Sequence, residues 1–336
     1  MLKQKFIEQN HGQLLEQLVS QRTGIAEQMI ITLEELNKAT RNFDKDLVVG
    51  GGGHGTVYKG ILSNQHIVAI KKPKKVLSRE IDEFINEVAI LSQINHKNVL
   101  KLYGFCLETE VPMLVYEFIS NGTLYDYLHV EGPISLSWNN RLRIATETAK
   151  SLAYLHTTVA VPIIHRDVKS ANILLDDTLT VKVADFGASR YIPMEKSGLT
   201  TRAQGTRGYW DPMYFYTGRL TAKRNLLQIL DPQVIEEGGK EVQEVAAIAT
   251  ACVKLSGEDR PTMRQVELML EGICASEEHI LDKVVAKKVY KNGIEVGVQS
   301  NKLVRKVNEG STRRYSMEEE FILSASYPRQ SGLQGT

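Results

Sequence analysis

Cysteine is scarce in this chain, and what there is does not pair. Its 336 residues contain three, Cys106, Cys252 and Cys274, odd in number, widely spaced and without a C-x-x-C pair. That pattern argues against a disulfide framework and against a structural zinc site, and for a reducing compartment. Charge of one sign is lacking too: 41 Lys and Arg stand against 40 Asp and Glu, a net of +1. Without a basic excess, nucleic acid is not expected as a main partner. Nor is there a run of about 18 apolar residues of the kind that crosses a bilayer. The segment Met1-Leu2-Lys3-Gln4-Lys5 does not lead into an apolar signal, Leu2 is not the glycine that myristoylation needs, and Gln334-Gly335-Thr336 offers no prenylation cysteine. These absences predict a cytoplasmic protein with no membrane span of its own.

The texture of the chain changes twice. Residues 1 to about 42 are rich in Gln, Glu and Leu, with one short apolar patch at Leu14, Leu15, Leu18 and Val19, and read as a flexible arm. Within them Thr32-Leu33-Glu34-Glu35 has capping-box spacing, which predicts a helix from Leu33 to about Thr40. From Leu47 come short strands: Thr56-Val57-Tyr58 and Ile67-Val68-Ala69-Ile70 flank the turn-prone Ser63-Asn64-Gln65. A helix is expected from about Arg79 to Gln93, because Ile81, Phe84, Ile85, Val88 and Ala89 share one face. Strands near Leu100–Cys106 and Met113–Phe118 follow, and then helices at Leu142–His156, Glu241–Leu255 and Thr262–Ile273. Strands first and helices after predict an α+β, two-lobed architecture rather than alternating βαβ units. The small lobe would run over about 43–118 and the large lobe over about 119–273, with 274–336 a charged, disordered tail.

The chemistry lies in a few short runs. His165-Arg166-Asp167 is followed five positions on by Asn172, and thirteen beyond that by Asp185-Phe186-Gly187. Either tripeptide alone is an ordinary turn. In this order and spacing they supply what phosphoryl transfer requires: a carboxylate to orient the attacking hydroxyl, Asp167, and side-chain oxygens for Mg²⁺, Asn172 and Asp185. Mg²⁺ takes one or two protein carboxylates and completes its shell with phosphate and water. Lys169 is placed to neutralise the transferred phosphate, its bland alternative being a surface lysine.

Upstream, Gly50-Gly51-Gly52-Gly53-His54-Gly55-Thr56-Val57 satisfies G-x-G-x-x-G-x-V. The same glycines open dinucleotide sites, but there a helix must follow, whereas Thr56-Val57-Tyr58 is β-branched and aromatic. A glycine hairpin over ATP phosphates is favoured, with Gly50, Gly52, Gly55 and Val57 at the nucleotide. Lys71 closes the apolar strand Val68-Ala69-Ile70, where a buried cation needs an anionic partner. Periodicity does not choose among Glu80, Glu83 and Glu87 for that partner; the sixteen-residue spacing and the Asn86-Glu87-Val88 context favour Glu87. Tyr116 would stand behind an adenine pocket, with the backbone of Glu117 and Ile119 at the purine edge. Thr200, Thr201 and Thr206 are candidate phosphorylation sites, since a phosphate there could be held by Arg166.

Phe84-Ile85-Asn86-Glu87-Val88, Glu117-Phe118-Ile119-Ser120-Asn121-Gly122-Thr123-Leu124, Ile164-His165-Arg166-Asp167-Val168-Lys169-Ser170 and Asp185-Phe186-Gly187-Ala188-Ser189-Arg190 together resemble the receptor-like Ser/Thr protein kinases of plants, most closely the wall-associated kinases. The resemblance covers roughly residues 1–273, and in it the arm looks like the segment just inside the membrane. It implies an ATP- and Mg²⁺-dependent Ser/Thr kinase acting on protein substrates in cell-surface signalling, in the cytoplasm or at the cytoplasmic face of the plasma membrane and in association with membrane receptors.

Two departures stand out. After Leu220-Thr221-Ala222-Lys223 the family continues into a buried central helix, whereas this chain passes straight to Arg224-Asn225-Leu226-Leu227. About five large apolar side chains at roughly 2 kcal/mol each would go with that helix, about 10 kcal/mol in all. Asp211-Pro212-Met213 also replaces the family's Ala-Pro-Glu motif, which predicts that Arg260 has lost its glutamate, at about 3 to 5 kcal/mol if buried. The alternatives are therefore a catalytically weak nucleotide-binding decoy, and a splicing product that never folds stably.

Overall fold

A computed structural model of the chain describes residues 2–10, 12, 15, 29–51, 55–74, 78–129, 135–192, 232–254, 257–275 and 315–316. The small lobe is an antiparallel sheet of β1 (Val48–Gly51), β2 (Gly55–Ile61), β3 (Ile67–Pro73), β4 (Leu102–Cys106) and β5 (Met113–Glu117), in the order β1-β2-β3-β5-β4. Tyr315–Ser316, in the stretch expected to be disordered, pairs parallel with β1. β2 and β3 pair without a break from Gly55–Pro73 to Ile61–Ile67, around the turn expected at Ser63-Asn64-Gln65, where Gln65 takes a left-handed φ of 66°. Side chains alternate along β3: Val68 and Ile70 are fully buried on one face, while Ala69 and Lys71 face a cleft on the other. That two-residue period is what brings a lysine to the cleft wall.

Helix α3 (Ser78–Leu91) crosses the sheet and buries Phe84, Val88, Ile90 and Leu91, at roughly 2 kcal/mol each. Before it come α1 (Leu2–Gln9) and α2 (Leu33–Ala39). Helix α2 begins as expected, with Thr32 Oγ1 accepting from Glu35 N at 3.2 Å. The reciprocal half of the box is not used, because Glu35 turns to the β2–β3 turn and accepts from Ser63 N at 2.6 Å.

The described residues of the segment expected from composition to be a flexible arm pack on the small lobe. Leu15 is fully buried, Asn10 Nδ2 donates to the carbonyls of Leu107 (3.2 Å) and Thr109 (2.8 Å), and Lys3 pairs with Glu108 at 3.0 Å. Ile31 N donates to Phe105 O at 2.9 Å, so Ile30 and Ile31 cover the outer edge of β4. An open strand edge needs such cover, and a composition count carries no sign of it.

In the large lobe α4 (Leu124–His129) precedes the long α5 (Trp138–Thr157), which buries Leu142, Ile144, Ala149, Leu152 and Leu155. Two small antiparallel pairs, β6 (Ile163–Ile164) with β9 (Arg190–Tyr191) and β7 (Ile173–Leu175) with β8 (Val181–Val183), carry the loops of interest. Helices α6 (Pro232–Gly238), α7 (Glu241–Cys252) and α8 (residues 263–275) return to α5. Val266, Leu270 and Ile273 pack on Leu142 and Ala149, while Trp138 packs on Val234 and Val242. Trp138 donates its backbone N–H to Glu237 (2.6 Å) and its indole N–H to Glu241 (2.7 Å). These helices thus dock on α5 directly.

The expected break after Lys223, the three candidate phosphorylation threonines and Asp211-Pro212 all lie in 193–231, outside the described residues. The expected cost at Arg260 is corrected: its side chain is exposed, and Nε donates to Lys254 O at 2.6 Å, so no buried charge is stranded. No helix among the described residues is long and apolar enough to cross a membrane.

Candidate active site

A cleft of about 340 Å³ opens between the sheet and the large lobe. Its walls bring together residues more than a hundred positions apart: Gly50, Val57, Lys71, Glu87, Tyr116, Glu117 and Ile119 from the small-lobe side, and Asp167, Lys169, Asn172 and Asp185 from below.

At its centre Lys71 Nζ lies 3.2 Å from Asp185 Oδ1 and 3.6 Å from Glu87 Oε2. Of Glu83 and Glu87, it is Glu87 that lies within ion-pair distance of Lys71. Helix rotation turns Glu87 inward, to a side-chain exposure of only 3%, while Glu83 lies one turn earlier against Gly187. Burial alone would lower the Lys71 pKa, but the charges of Asp185 and Glu87 outweigh it and hold the ammonium well above its ordinary value. Asp185 is held below its ordinary value by the Lys71 charge, against the effect of burial. Burial pushes Glu87 up, with Lys71 opposing. We take Lys71 and Asp185 to be charged at neutral pH, with Glu87 as the member whose ionisation costs most.

Asp167, Lys169 and Asn172 form the lower wall. Asn172 Nδ2 donates to Asp167 O (2.9 Å) and to Asp167 Oδ2 (3.2 Å), and Lys169 Nζ lies 3.4 Å from the same carboxylate oxygen. Behind them His165 is buried and fixes the loop through both ring nitrogens. Nε2 is 3.0 Å from Ala184 O, and Nδ1 accepts from Asp167 N at 3.3 Å, which sets the neutral tautomer with its proton on Nε2. Burial lowers the His165 pKa in the same sense. Arg166 and Asp185, which bracket this hardware, both adopt left-handed φ, 72° and 66°. For residues with a Cβ this is strained backbone, and it persists only where surrounding bonds determine it.

Other candidates fall out differently. Tyr116 is buried, and burial first, then the Glu87 charge, raises its phenol pKa well above 10. The Glu117 carboxylate turns away to Lys101 N and Lys182 Nζ, both at 2.8 Å, and its backbone N–H donates to Lys101 O at 3.0 Å. Of its groups only the carbonyl suits the role at the purine edge. Gly55 sits in β2 opposite Pro73, where a Cβ would stand 2.7 Å from Lys72 O, so strand packing accounts for that glycine. Gly52 lies outside the described residues.

The oxygen donors suit a hard divalent cation. Asn172 uses its amide nitrogen on Asp167, which leaves Oδ1 as its donor to a cation, and the Asp185 carboxylate is 40% exposed to the cleft. No group of three or more His, Cys, Asp or Glu converges among the described residues. One carboxylate and one amide carbonyl match what Mg²⁺ takes from protein when phosphate and water supply the rest.

Asn86 and Tyr191 escaped the reading of the chain. Asn86 Nδ2 lies 3.1 Å from Phe186 O, 3.0 Å from Gly187 O and 3.0 Å from Ser189 O, and Tyr191 Oη donates to Ala89 O at 3.2 Å. A polar residue on a helix gives no linear sign that it faces a turn a hundred residues away.

A sheet-roofed cleft with a Lys–Glu pair, a carboxylate–amide loop and a strained Asp-Phe-Gly turn defines a protein kinase domain. The model of the protein tyrosine and serine/threonine kinase family matches residues 43–213, about half of the chain, and the chain belongs to that family. It is similar to two wall-associated receptor kinases of Arabidopsis thaliana. Wall-associated receptor kinase 3 is 48% identical over 319 residues, covering 81% of this chain and 43% of the relative. Wall-associated receptor kinase 2 is 48% identical over 318 residues, with the same shares. A wall-associated receptor kinase-like protein of the same plant, number 16, is 42% identical over 340 residues, covering 88% of this chain and 78% of the relative. The chain spans less than half the length of the first two.

Since 81% of 336 residues is about 272, an alignment of 319 positions leaves about 47 at which the relative has a residue and this chain has none.

Proposed function

We propose that this chain is an ATP-dependent Ser/Thr protein kinase module, transferring the γ-phosphoryl group to a protein hydroxyl in receptor-type signalling on the cytoplasmic side of a membrane. The observation that carries this reading is the convergence of Lys71, Glu87, Asp185, Asp167 and Asn172 on one cleft.

The chemistry follows from the geometry. Lys71, kept cationic by two carboxylates, offers its ammonium to the nucleotide phosphates, and Glu87 keeps it from collapsing wholly onto Asp185. Asn172 Oδ1 and the Asp185 carboxylate would hold Mg²⁺, which neutralises phosphate charge when bound. Asp167 accepts the proton of the acceptor hydroxyl as its oxygen bonds to the γ-phosphorus and the bond to the ADP oxygen breaks. Lys169, beside the same carboxylate, offsets charge on the transferred group. Serine and threonine specificity and the assignment of Mg²⁺ rest on resemblance to the family and on the donor set.

A second reading is favoured by the gap of about 47 positions: a nucleotide-binding decoy that retains the small lobe and competes for the partners of full-length receptors. Incubation of the purified chain with γ-labelled ATP and a generic protein acceptor separates the two. The kinase gives label on serine and threonine that disappears in Asp167→Ala and Lys71→Met. Nucleotide binding without transfer establishes the decoy, and absence of both overturns the nucleotide reading.

A further inference from the structure

We infer that Asn86 is a positioning residue that couples helix α3 to the metal-binding Asp185, by clamping the turn that follows it. The inference rests on the nucleotide reading above and deepens it.

Asn86 and Glu87 are consecutive on α3 and project about 100° apart around the helix. They take opposite polarities of the same turn. Glu87 Oε1 accepts from Phe186 N at 3.3 Å, whereas Asn86 Nδ2 faces the carbonyls of Phe186, Gly187 and Ser189, all within 3.1 Å. An amide nitrogen carries two N–H groups, so at least one is shared between acceptors. Only a donor fits there, since three carbonyl oxygens converging on an acceptor would repel it. The turn is closed by Ser189 N donating to Phe186 O at 3.0 Å, and it presses so near α3 that a Cβ at Gly187 would stand 3.2 Å from Glu83 Cβ.

Asp185 sits immediately before this turn with φ 66°, a conformation that must be imposed from outside. On its N-terminal side Ala184 N donates to Asn172 O at 2.9 Å. On its C-terminal side Asn86 supplies the constraint. If α3 swings out, Asn86 and Glu87 leave together. The Lys71 partner and the presentation of Asp185 are then lost in one movement. Tyr191, bonded to Ala89 O two residues further along the segment, extends the same seam.

The test uses the full chain, ADP as the probe, and calorimetric titration with and without Mg²⁺, together with hydrogen exchange of the amides at 186–189. Asn86→Asp keeps the shape and replaces the donor by an acceptor; Asn86→Ala removes it. For both we expect the Mg²⁺-dependent gain in ADP affinity to shrink roughly tenfold, the scale of about one hydrogen bond, with affinity in the absence of Mg²⁺ changed less than about twofold. Exchange at 186–189 should speed up, with the thermal midpoint as the check on folding. Asn86→Gln, a longer donor, should recover part of the loss. If either variant folds and keeps the full Mg²⁺-dependent gain, the coupling is overturned while the nucleotide reading stands. If the unmodified chain binds no ADP, both fall. If both variants fail to fold, unchanged exchange at 186–189 in Asn86→Gln overturns the coupling, and selectively faster exchange there supports it.

Discussion

Replacing Glu87 by glutamine separates electrostatic positioning from stability. The substitution keeps volume and leaves Oε1 to accept from Phe186 N, but it removes the charge 3.6 Å from Lys71 Nζ and turns N–H donors toward an ammonium. Removing one member of a buried ion pair costs about 3 to 5 kcal/mol. Two facts reduce that here: Lys71 keeps Asp185 at 3.2 Å, and its side chain is 29% exposed, so solvent screens part of the loss. A penalty of about 1–2 kcal/mol remains, roughly 5- to 30-fold in affinity for a nucleotide whose phosphates need Lys71 in place. Stability should move much less, because burial already disfavours the Glu87 carboxylate and an amide is cheaper to bury. We expect a change in the thermal midpoint of under about 3 °C. Calorimetric titration with ADP and Mg²⁺, beside a melting curve, reads both quantities. Glu83→Gln, one turn away on the same helix, is the control and should weaken binding less. Unaltered ADP affinity in folded Glu87→Gln would refute the assignment of Glu87 as the lysine's partner.

Three other outcomes are expected. Asn10→Ala deletes donors to Leu107 O and Thr109 O from a fully buried site; it should cost about 1–3 kcal/mol and expose the arm to limited proteolysis before the rest of the chain, and an unchanged digestion pattern would show that the arm is not held there. Gly104→Ala drives a methyl into the Met29 carbonyl oxygen and should release the same arm from the β4 edge without touching the cleft, which the same digestion and an unchanged ADP affinity would report. The folded pKa of His165 lies below its ordinary 6.5, so its contribution to stability is fully present above pH 6.5 and is lost as pH falls through the depressed value; the slope reaches at most about 1.4 kcal/mol per pH unit, and the melting temperature of His165→Phe should depend less on pH between 6.5 and 5 than that of the unaltered chain.

What could be read from the linear chain is what is local in it. Asp167, Asn172 and Asp185 announce themselves because one loop and one turn carry them at fixed spacing, and α3 and α5 because a buried stripe repeats every 3.6 residues. The start of α2 was legible for the same reason: the cap at Thr32 is a contact between residues three apart, and the end expected near Thr40 falls within a residue of Ala39. Tertiary packing decided everything that depends on which way a face points. Three glutamates on one helix are equivalent to periodicity; the rotation of α3 over the sheet buries Glu87 and leaves Glu83 beside Gly187. Asn10 and Asn86 look like solvated polar residues in sequence. Each instead binds backbone carbonyls about a hundred residues away, and carbonyl positions are set by the fold rather than by the identity of the residues that bear them.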